Sequence, residues 1–289
     1  MTPVQGCPNI PRIMSSRSPA SFDFTALADR LAGAAVFADW GRAFPARVDS
    51  TNRLALDLAR NRLEAGLPPN SVAVAGEQTA GTGRRGRPWQ SAAGAGLWFS
   101  LVVPPPGAAP AAPPAIVLAG GLAEVFREAG VPVGVKWPND LFLGGGKVGG
   151  LLMTGLTVDG ARLWRAGVGV NWRPPPRDLP DEYQAEGIAG WLGSAEASLA
   201  LAEALVETAV RVLQHPEGWE ATMASLRRSH WLYGRSVRVE TEGGRCFRAR
   251  AGDLRPDGRL ELSLSSGERR VSGPNDRVRP LDGTDEAKT

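Results

Sequence analysis

Cysteine, histidine and lysine are scarce in this chain, and long apolar runs are missing. Cys7 and Cys246 are the only cysteines among 289 residues. They lie far apart, so neither a disulfide framework nor a cysteine-based zinc site can be read from them. His215 and His230 do not have the spacing of metal ligands, and both are expected on the surface or half-buried. No stretch approaches the length of a membrane span. The N-terminus shows neither a basic n-region nor an apolar h-region. The expectation is a soluble cytoplasmic protein with no membrane partner. Strong charge imbalance is missing too: 33 basic and 30 acidic residues leave a net charge of +3. The densest basic run, Arg84-Arg85-Gly86-Arg87, is short for a nucleic-acid footprint. The 43% hydrophobic and 22% charged content is that of an ordinary globular protein, long enough for one large domain with or without a small one.

Lysine scarcity carries information. Lysine occurs only at 136, 147 and 288, and every other basic residue is arginine. A chain that otherwise uses arginine keeps Lys136 and Lys147. Lysine offers a compact point charge on a flexible stem, whereas arginine offers a planar fork. These two positions are therefore candidates for chemistry that the fork cannot serve.

Residues 1–20 are Pro- and Ser-rich without periodicity and read as a disordered tail. Leu27, Leu31 and Ala34 have helical spacing. Asp49-Ser50-Thr51-Asn52 supplies N-cap chemistry for a helix that carries Leu54, Leu58 and Leu63 and ends near Gly66. Residues 71–75 and 96–103 read as buried strands, and a Pro/Ala linker at 104–114 leads into a helix over 115–129. Strands follow at 133–137 and from 140 to 143. Two longer ones, 147–158 and 162–172, are joined by an Asp159-Gly160 turn. Helices are expected over 195–213 and 216–230. Beyond Leu232, short alternating segments at 236–241, 246–254, 259–263 and 269–272 predict a small five-stranded barrel. The fold class is α+β: a mixed sheet packed with helices over 21–231, then a small SH3-like β-barrel over 232–283.

The segment from Gln78 to Trp89 contains Gly81-Thr82-Gly83-Arg84-Arg85-Gly86-Arg87. Glycines let backbone N–H groups approach an anion, arginines neutralise phosphate or carboxylate oxygens, and Trp89 offers an aromatic plane. A solvated basic loop is the plain alternative. Gly81, Gly83 and Gly86 fit a dinucleotide fingerprint only in spacing, because Pro88 and a strand follow where a helix should open. A second segment, Lys136-Trp137-Pro138-Asn139-Asp140-Leu141, places a lysine and an Asn-Asp pair at a strand end, with Lys147 entering the next strand. Its plain reading is a turn with Trp137 as a core anchor. A third, Gly167-Val168-Gly169-Val170-Asn171, is a strand interrupted by glycine, which often marks close approach of a ligand or backbone.

Taken with Ser50-Thr51-Asn52 and residues 147–152, these segments resemble the ordered motif set of biotin protein ligases, over about residues 45–280. The resemblance implies two steps. Biotin's carboxylate attacks the α-phosphorus of ATP to give biotinyl-5'-AMP, and a lysine of a biotin carboxyl carrier protein then takes the biotinyl group. It implies biotin and ATP as substrates with Mg²⁺ brought by ATP, since no metal motif is present. Ser50, Thr51, Asn52 and Gln78 would line a biotin pocket, with Gly81, Thr82, Gly83 and Arg84 along biotin's tail and the nascent phosphate. Arg84, Arg87, Trp89, Asn139, Lys147 and Asn171 would address ATP, and Lys136 the reacting carboxylate. Asp140 would position either Mg²⁺ or the acceptor lysine. Arg84, Lys136, Asp140 and Lys147 are thus the catalytic candidates. The family commonly has arginine where this chain has Thr82, which leaves a backbone role there. Some relatives carry an N-terminal helix-turn-helix domain. The 48 residues before Asp49 offer no room for one, so specific DNA binding is not expected, while a homodimer is compatible. The rival readings are a lipoate or octanoate ligase of similar fold and, in another class, a nucleic-acid-binding module.

Overall fold

The structure is a computed structural model and describes residues 22–107, 111–175, 185–273 and 275–281. The tail expected over 1–20 lies outside the described residues. The chain begins with helix α1 (Phe24–Gly33), strands β1 (Gly41–Ala43) and β2 (Arg47–Val48), helix α2 (Thr51–Glu64), and strands β3 (Ser71–Ala75), β4 (Glu77–Gln78) and β5 (Gly96–Val103). Helix α3 (Pro114–Glu128) precedes β6 (Val133–Lys136), β7 (Asp140–Leu143), β8 (Gly146–Val158) and β9 (Ala161–Asn171). Helices α4 (Ala195–Gln214) and α5 (Trp219–Ser229) lead into β10 (Ser236–Glu240), β11 (Cys246–Leu254), β12 (Leu260–Ser263), β13 (Arg269–Val271) and β14 (Arg277–Pro280). The long elements fall where the sequence places them. The short strands β1, β2 and β4 carry too little periodicity to be read.

A seven-stranded sheet runs in the order β1-β3-β5-β9-β8-β7-β6. Only β1 and β3 pair in parallel within it. Every residue of β3 and β5 is buried, as continuous apolar runs covered on both faces should be. One face carries the main core: Val74, Phe99, Val168 and Leu151 lie in register across four strands beneath α1, α3 and α4. On the other face α2 packs on β3, β5 and β9. Its buried row is Thr51, Ala55 and Ala59, against Ala73, Val102 and Leu163. The leucines that mark α2 in sequence are only partly buried. Small alanines bring the helix close to the sheet, and the leucines fill its flanks. The β8–β9 hairpin turns at Asp159 and Gly160, both left-handed with φ of 48° and 80°, the conformation that a two-residue turn needs.

The last five strands form an antiparallel sheet ordered β13-β12-β11-β10-β14. Its edges β13 and β14 share no ladder among the described residues, so the expected barrel is a sheet left open between them. β13 has only three residues, all exposed, and offers little to close it. The buried cluster is continuous from the large sheet into Val237, Val239, Leu254, Leu260 and Leu262. His215 is exposed, but His230 is only 2% exposed, with Nε2 2.9 Å from Gly252 O. Burial pushes its pKa down. It is a buried residue joining α5 to the small sheet, not the half-buried one expected. No described helix is long and apolar enough to cross a membrane.

Candidate active site

The face of the large sheet that carries α2 continues past the helix into a cleft. There, strand register brings Lys136, Asp140, Gly150, Gly169 and Trp98 into one row across five strands. Residues in register share a face, so the row aims Lys136 and Asp140 at the same space. Lys147 joins them through an irregularity. Leu141 pairs with Gly149 but Phe142 pairs with Lys147, leaving Val148 as an extra residue. Without this bulge Lys147 would point into the core, and with it Lys147 faces the cleft.

Asp140 is the hub of the cluster. Its Oδ1 lies 2.8 Å from Lys147 Nζ and its Oδ2 lies 3.7 Å from Lys136 Nζ. Burial alone would raise the Asp140 pKa, but Lys147, Lys136 and Arg84 outweigh it and hold the carboxyl below its ordinary value. Lys136 is 5% exposed and also sits 5.3 Å above the Phe142 ring. Arg84 reaches in from the glycine-rich loop and donates from Nη1 to Asn139 Oδ1 at 2.9 Å. Burial lowers its pKa from the ordinary arginine value, so the guanidinium has lost part of its water. Asn139, 7% exposed, is itself fixed by donating from Nδ2 to Leu151 O at 2.6 Å.

The glycine-rich loop is more ordered than a solvated loop. Bridges Gln78↔Ser91 and Thr82↔Pro88 make it a narrow hairpin, tied by Gly83 N–H to Arg87 O at 2.8 Å and Trp89 N–H to Gly81 O at 2.9 Å. Its tip turns through Arg85 and Gly86, with φ of 60° and 73°. Trp89 lies back on β9, where a Cβ on Gly169 would come 2.5 Å from its ring. Trp98 supports it edge-on at 6.4 Å, and Lys147 Nζ stands 5.4 Å from the Trp89 ring. Gly167 gives way in the same manner to Asn52, whose Nδ2 would lie 2.6 Å from an added Cβ. The glycines of this strand therefore make room for site side chains.

Beyond the cations lies a small polar pocket. Gln78 Oε1 accepts from Thr51 N–H at 2.8 Å and from Thr51 Oγ1 at 3.0 Å, while its Nε2 donates to Ser91 Oγ at 2.8 Å. Buried Ser100 donates towards Thr51 Oγ1 at 2.8 Å and Asn52 Oδ1 at 3.2 Å. Ser100 thus supports Thr51 and Asn52 from beneath. On the opposite side, Asp276, Arg277, Val278 and Arg279 of the small sheet complete the cleft wall. Arg85 Nη2 donates across to Asn275 O at 3.0 Å. Trp137, 3% exposed, donates from Nε1 to Gly258 O at 2.9 Å.

The profile of the biotin/lipoate A/B protein ligase family matches residues 44–171, which hold all of this cleft except its small-sheet wall. A biotin--[acetyl-CoA-carboxylase] ligase of Mycobacterium tuberculosis is 31% identical over 201 residues, covering 67% of this chain and 73% of that protein. The chain belongs to the biotin/lipoate A/B protein ligase family. Within it, the bifunctional ligase/repressor BirA of Bacillus subtilis is 36% identical over 140 residues, covering 47% of this chain and 42% of that protein. The chain thus spans under half the length of that relative. A biotin protein ligase from Aquifex aeolicus, solved with biotin and ATP, has the same fold at a TM-score of 0.60, with 22% identity. The match covers 83% of this chain and 99% of that one.

Most of the residues that resemblance to biotin protein ligases singled out meet in the cleft of this family member. Thr51, Asn52 and Gln78 line its polar end, Lys136, Asn139, Asp140 and Lys147 its floor, and Thr82, Gly83, Arg84, Arg87 and Trp89 its loop wall. Three lie off it. Ser50, 6% exposed, precedes α2 as its N-cap residue. Gly81 is a packing position, where a Cβ would come 2.6 Å from Trp89 O. Asn171, 5% exposed, pairs with Gly96 at the end of β9. Sequence reasoning missed Ser91 and Ser100, whose signal was polar residues in or beside a buried strand. It also missed Arg277 and Arg279, which carry no motif.

Proposed function

We propose that this chain is a biotin protein ligase that activates biotin with ATP and passes the biotinyl group to a lysine of a biotin carboxyl carrier domain. The observation that carries the reading is the cationic cluster of Lys136, Lys147 and Arg84 around Asp140. It sits between a small polar pocket and the arginine-bearing hairpin. The chemistry has to bring a carboxylate up to a polyphosphate, and three partly buried cations offset that repulsion. Thr51, Asn52 and Gln78 hold the ureido end of biotin. Lys136 meets the carboxylate, whose oxygen bonds to the α-phosphorus as the bond to the leaving pyrophosphate breaks. Lys147 and Arg84 stabilise the phosphoryl oxygens, with Arg87 and Trp89 against the nucleotide. In the second step a carrier lysine, as its neutral amine, attacks the acyl carbon. The amide forms, AMP leaves, and the amine gives up a proton.

Asp140 keeps the two lysines side by side. Its oxygens are engaged with them, and no group of three acidic, histidine or cysteine side chains clusters among the described residues. Magnesium would enter bound to the ATP phosphates. The test is acid-dependent exchange of labelled pyrophosphate into ATP, run with biotin, lipoate and octanoate. Exchange with biotin alone is expected. Exchange with lipoate or octanoate in place of biotin would replace this reading with that of a lipoate-type ligase.

A further inference from the structure

In the ligase reading the cleft makes a reagent that can attack the enzyme itself. Biotinyl-5'-AMP is a mixed anhydride, and a neutral amine beside its acyl carbon reacts with it. The nitrogen lone pair forms the C–N bond, the C–O bond to AMP breaks, and the nitrogen gives up a proton. The carrier lysine uses this chemistry, but the cleft already holds two amines of its own. Lys136 and Lys147 both line it, and acylation of either would end its service as a cation.

The other cations of the cleft are safe by their chemistry. Arg84, Arg85, Arg87, Arg277 and Arg279 line it, and a guanidinium stays protonated, with no amine lone pair to offer. An ammonium is equally inert, but burial and neighbouring positive charge favour the neutral amine. Lys136 is 5% exposed and shares the cleft with Lys147 and Arg84. The departure of pyrophosphate also takes negative charge away just as the adenylate appears.

Asp140 opposes this loss. β6 and β7 set it directly opposite Lys136. On the next strand Gly150 leaves the space where it meets Lys147, since a Cβ there would lie 3.3 Å from Lys147 Nζ and 3.4 Å from Asp140 Oδ1. One oxygen faces each lysine, at 2.8 Å for Lys147 and 3.7 Å for Lys136. A fixed anion beside an ammonium favours its protonated form. We propose that Asp140 protects Lys136 and Lys147 from the enzyme's own acyl-adenylate, by holding both as ammonium groups until the acceptor arrives. Asp140 acts here through the lysines, as a positioning residue, and the proposal rests on the ligase reading above.

The test compares the full wild-type chain with Asp140→Asn, which keeps the shape and removes the charge. Each is incubated without a carrier, once with biotin and MgATP and once with added biotinyl-5'-AMP. A variant slow to make the adenylate thus still meets it. Peptide mass spectrometry then locates the biotinylated lysines. Lys288 is the only other lysine in the chain and counts adenylate that reacts from solution. Relative to Lys288, label at Lys136 or Lys147 should rise about tenfold or more in Asp140→Asn. It should also exceed the label at Lys288, because an unfolded chain would label all three alike. Asp140→Glu, which restores the charge, should return the ratio towards that of the wild type. Label at Lys288 alone, or at none of the three, in Asp140→Asn given the adenylate overturns the protective role. So does heavy label at Lys136 or Lys147 in the wild type. Absence of biotin-dependent exchange in the wild type would instead remove the ligase reading and this proposal with it.

Discussion

Lys136 is almost wholly buried in the floor of the cleft. Its Nζ lies 3.7 Å from Asp140 and 5.3 Å from the Phe142 ring, and the residue is 5% exposed. Arginine keeps the charge but spreads it over a larger planar fork, which moves it from the place beside Asp140 that the ammonium holds. Lys136→Arg should therefore lower the rate of adenylate formation by about 10²-fold or more, the scale of a misplaced reacting group. Pyrophosphate exchange measures it, and a near-normal rate would remove Lys136 from the reacting centre. The contrast of two retained lysines with an arginine-rich chain made this residue legible in the sequence. Asp140 was legible as a site residue. Its role was not, because its pairing with both lysines depends on Lys147 being turned to the same face.

Among the elements, β8 and β9 build the site by what they omit. Gly169 leaves room for Trp89, and an added Cβ would come 2.5 Å from that ring. Gly169→Ala should displace Trp89 and raise the KM for ATP by roughly tenfold, about 1.4 kcal/mol, with a smaller effect on biotin. Gly155→Ala on the neighbouring strand, where nothing lies within 4 Å, should leave both constants unchanged. Steady-state exchange kinetics of the two variants separate a lost nucleotide contact from a general weakening of the hairpin. The glycine pattern was visible in the sequence, but not the side chains that fill the space. The bulge at Val148 was invisible, since the segment reads as an ordinary apolar strand. In α2 the leucines drew attention to the wrong row, because helical spacing alone does not say how closely a helix approaches its sheet.

At the scale of the whole molecule, the small sheet belongs to the site. Trp137 Nε1 donates to Gly258 O at 2.9 Å, and the backbone N–H of Trp231, in the link from α5 to the small sheet, donates to Val135 O at 2.7 Å, beside Lys136. Gly258 has φ +75° and is seated against Pro113 and Ile116 at the start of α3. Trp137→Phe keeps an aromatic ring but loses the pyrrole with its buried donor, at a cost of about 1–3 kcal/mol for the hydrogen bond alone. It should lower the melting temperature by a few degrees and the kcat for exchange several-fold. Loss of melting temperature without loss of kcat would mean that the small sheet merely adheres to the strand that bears Lys136.

The sequence alone determined the order of elements and the chemical content of three site segments. Apolar periodicity and turn residues are local signals, and lysine, arginine and glycine declare their chemistry wherever they stand. Only the tertiary structure decided which of those residues share a face. Register, the Val148 bulge and the close seat of α2 turn Lys147 inward, leave Ser50, Gly81 and Asn171 off the cleft wall and bring Ser100 beneath the pocket. It also closed the cleft with Arg277 and Arg279. A contact between residues more than a hundred positions apart is set by packing, and packing leaves no periodic trace in the chain.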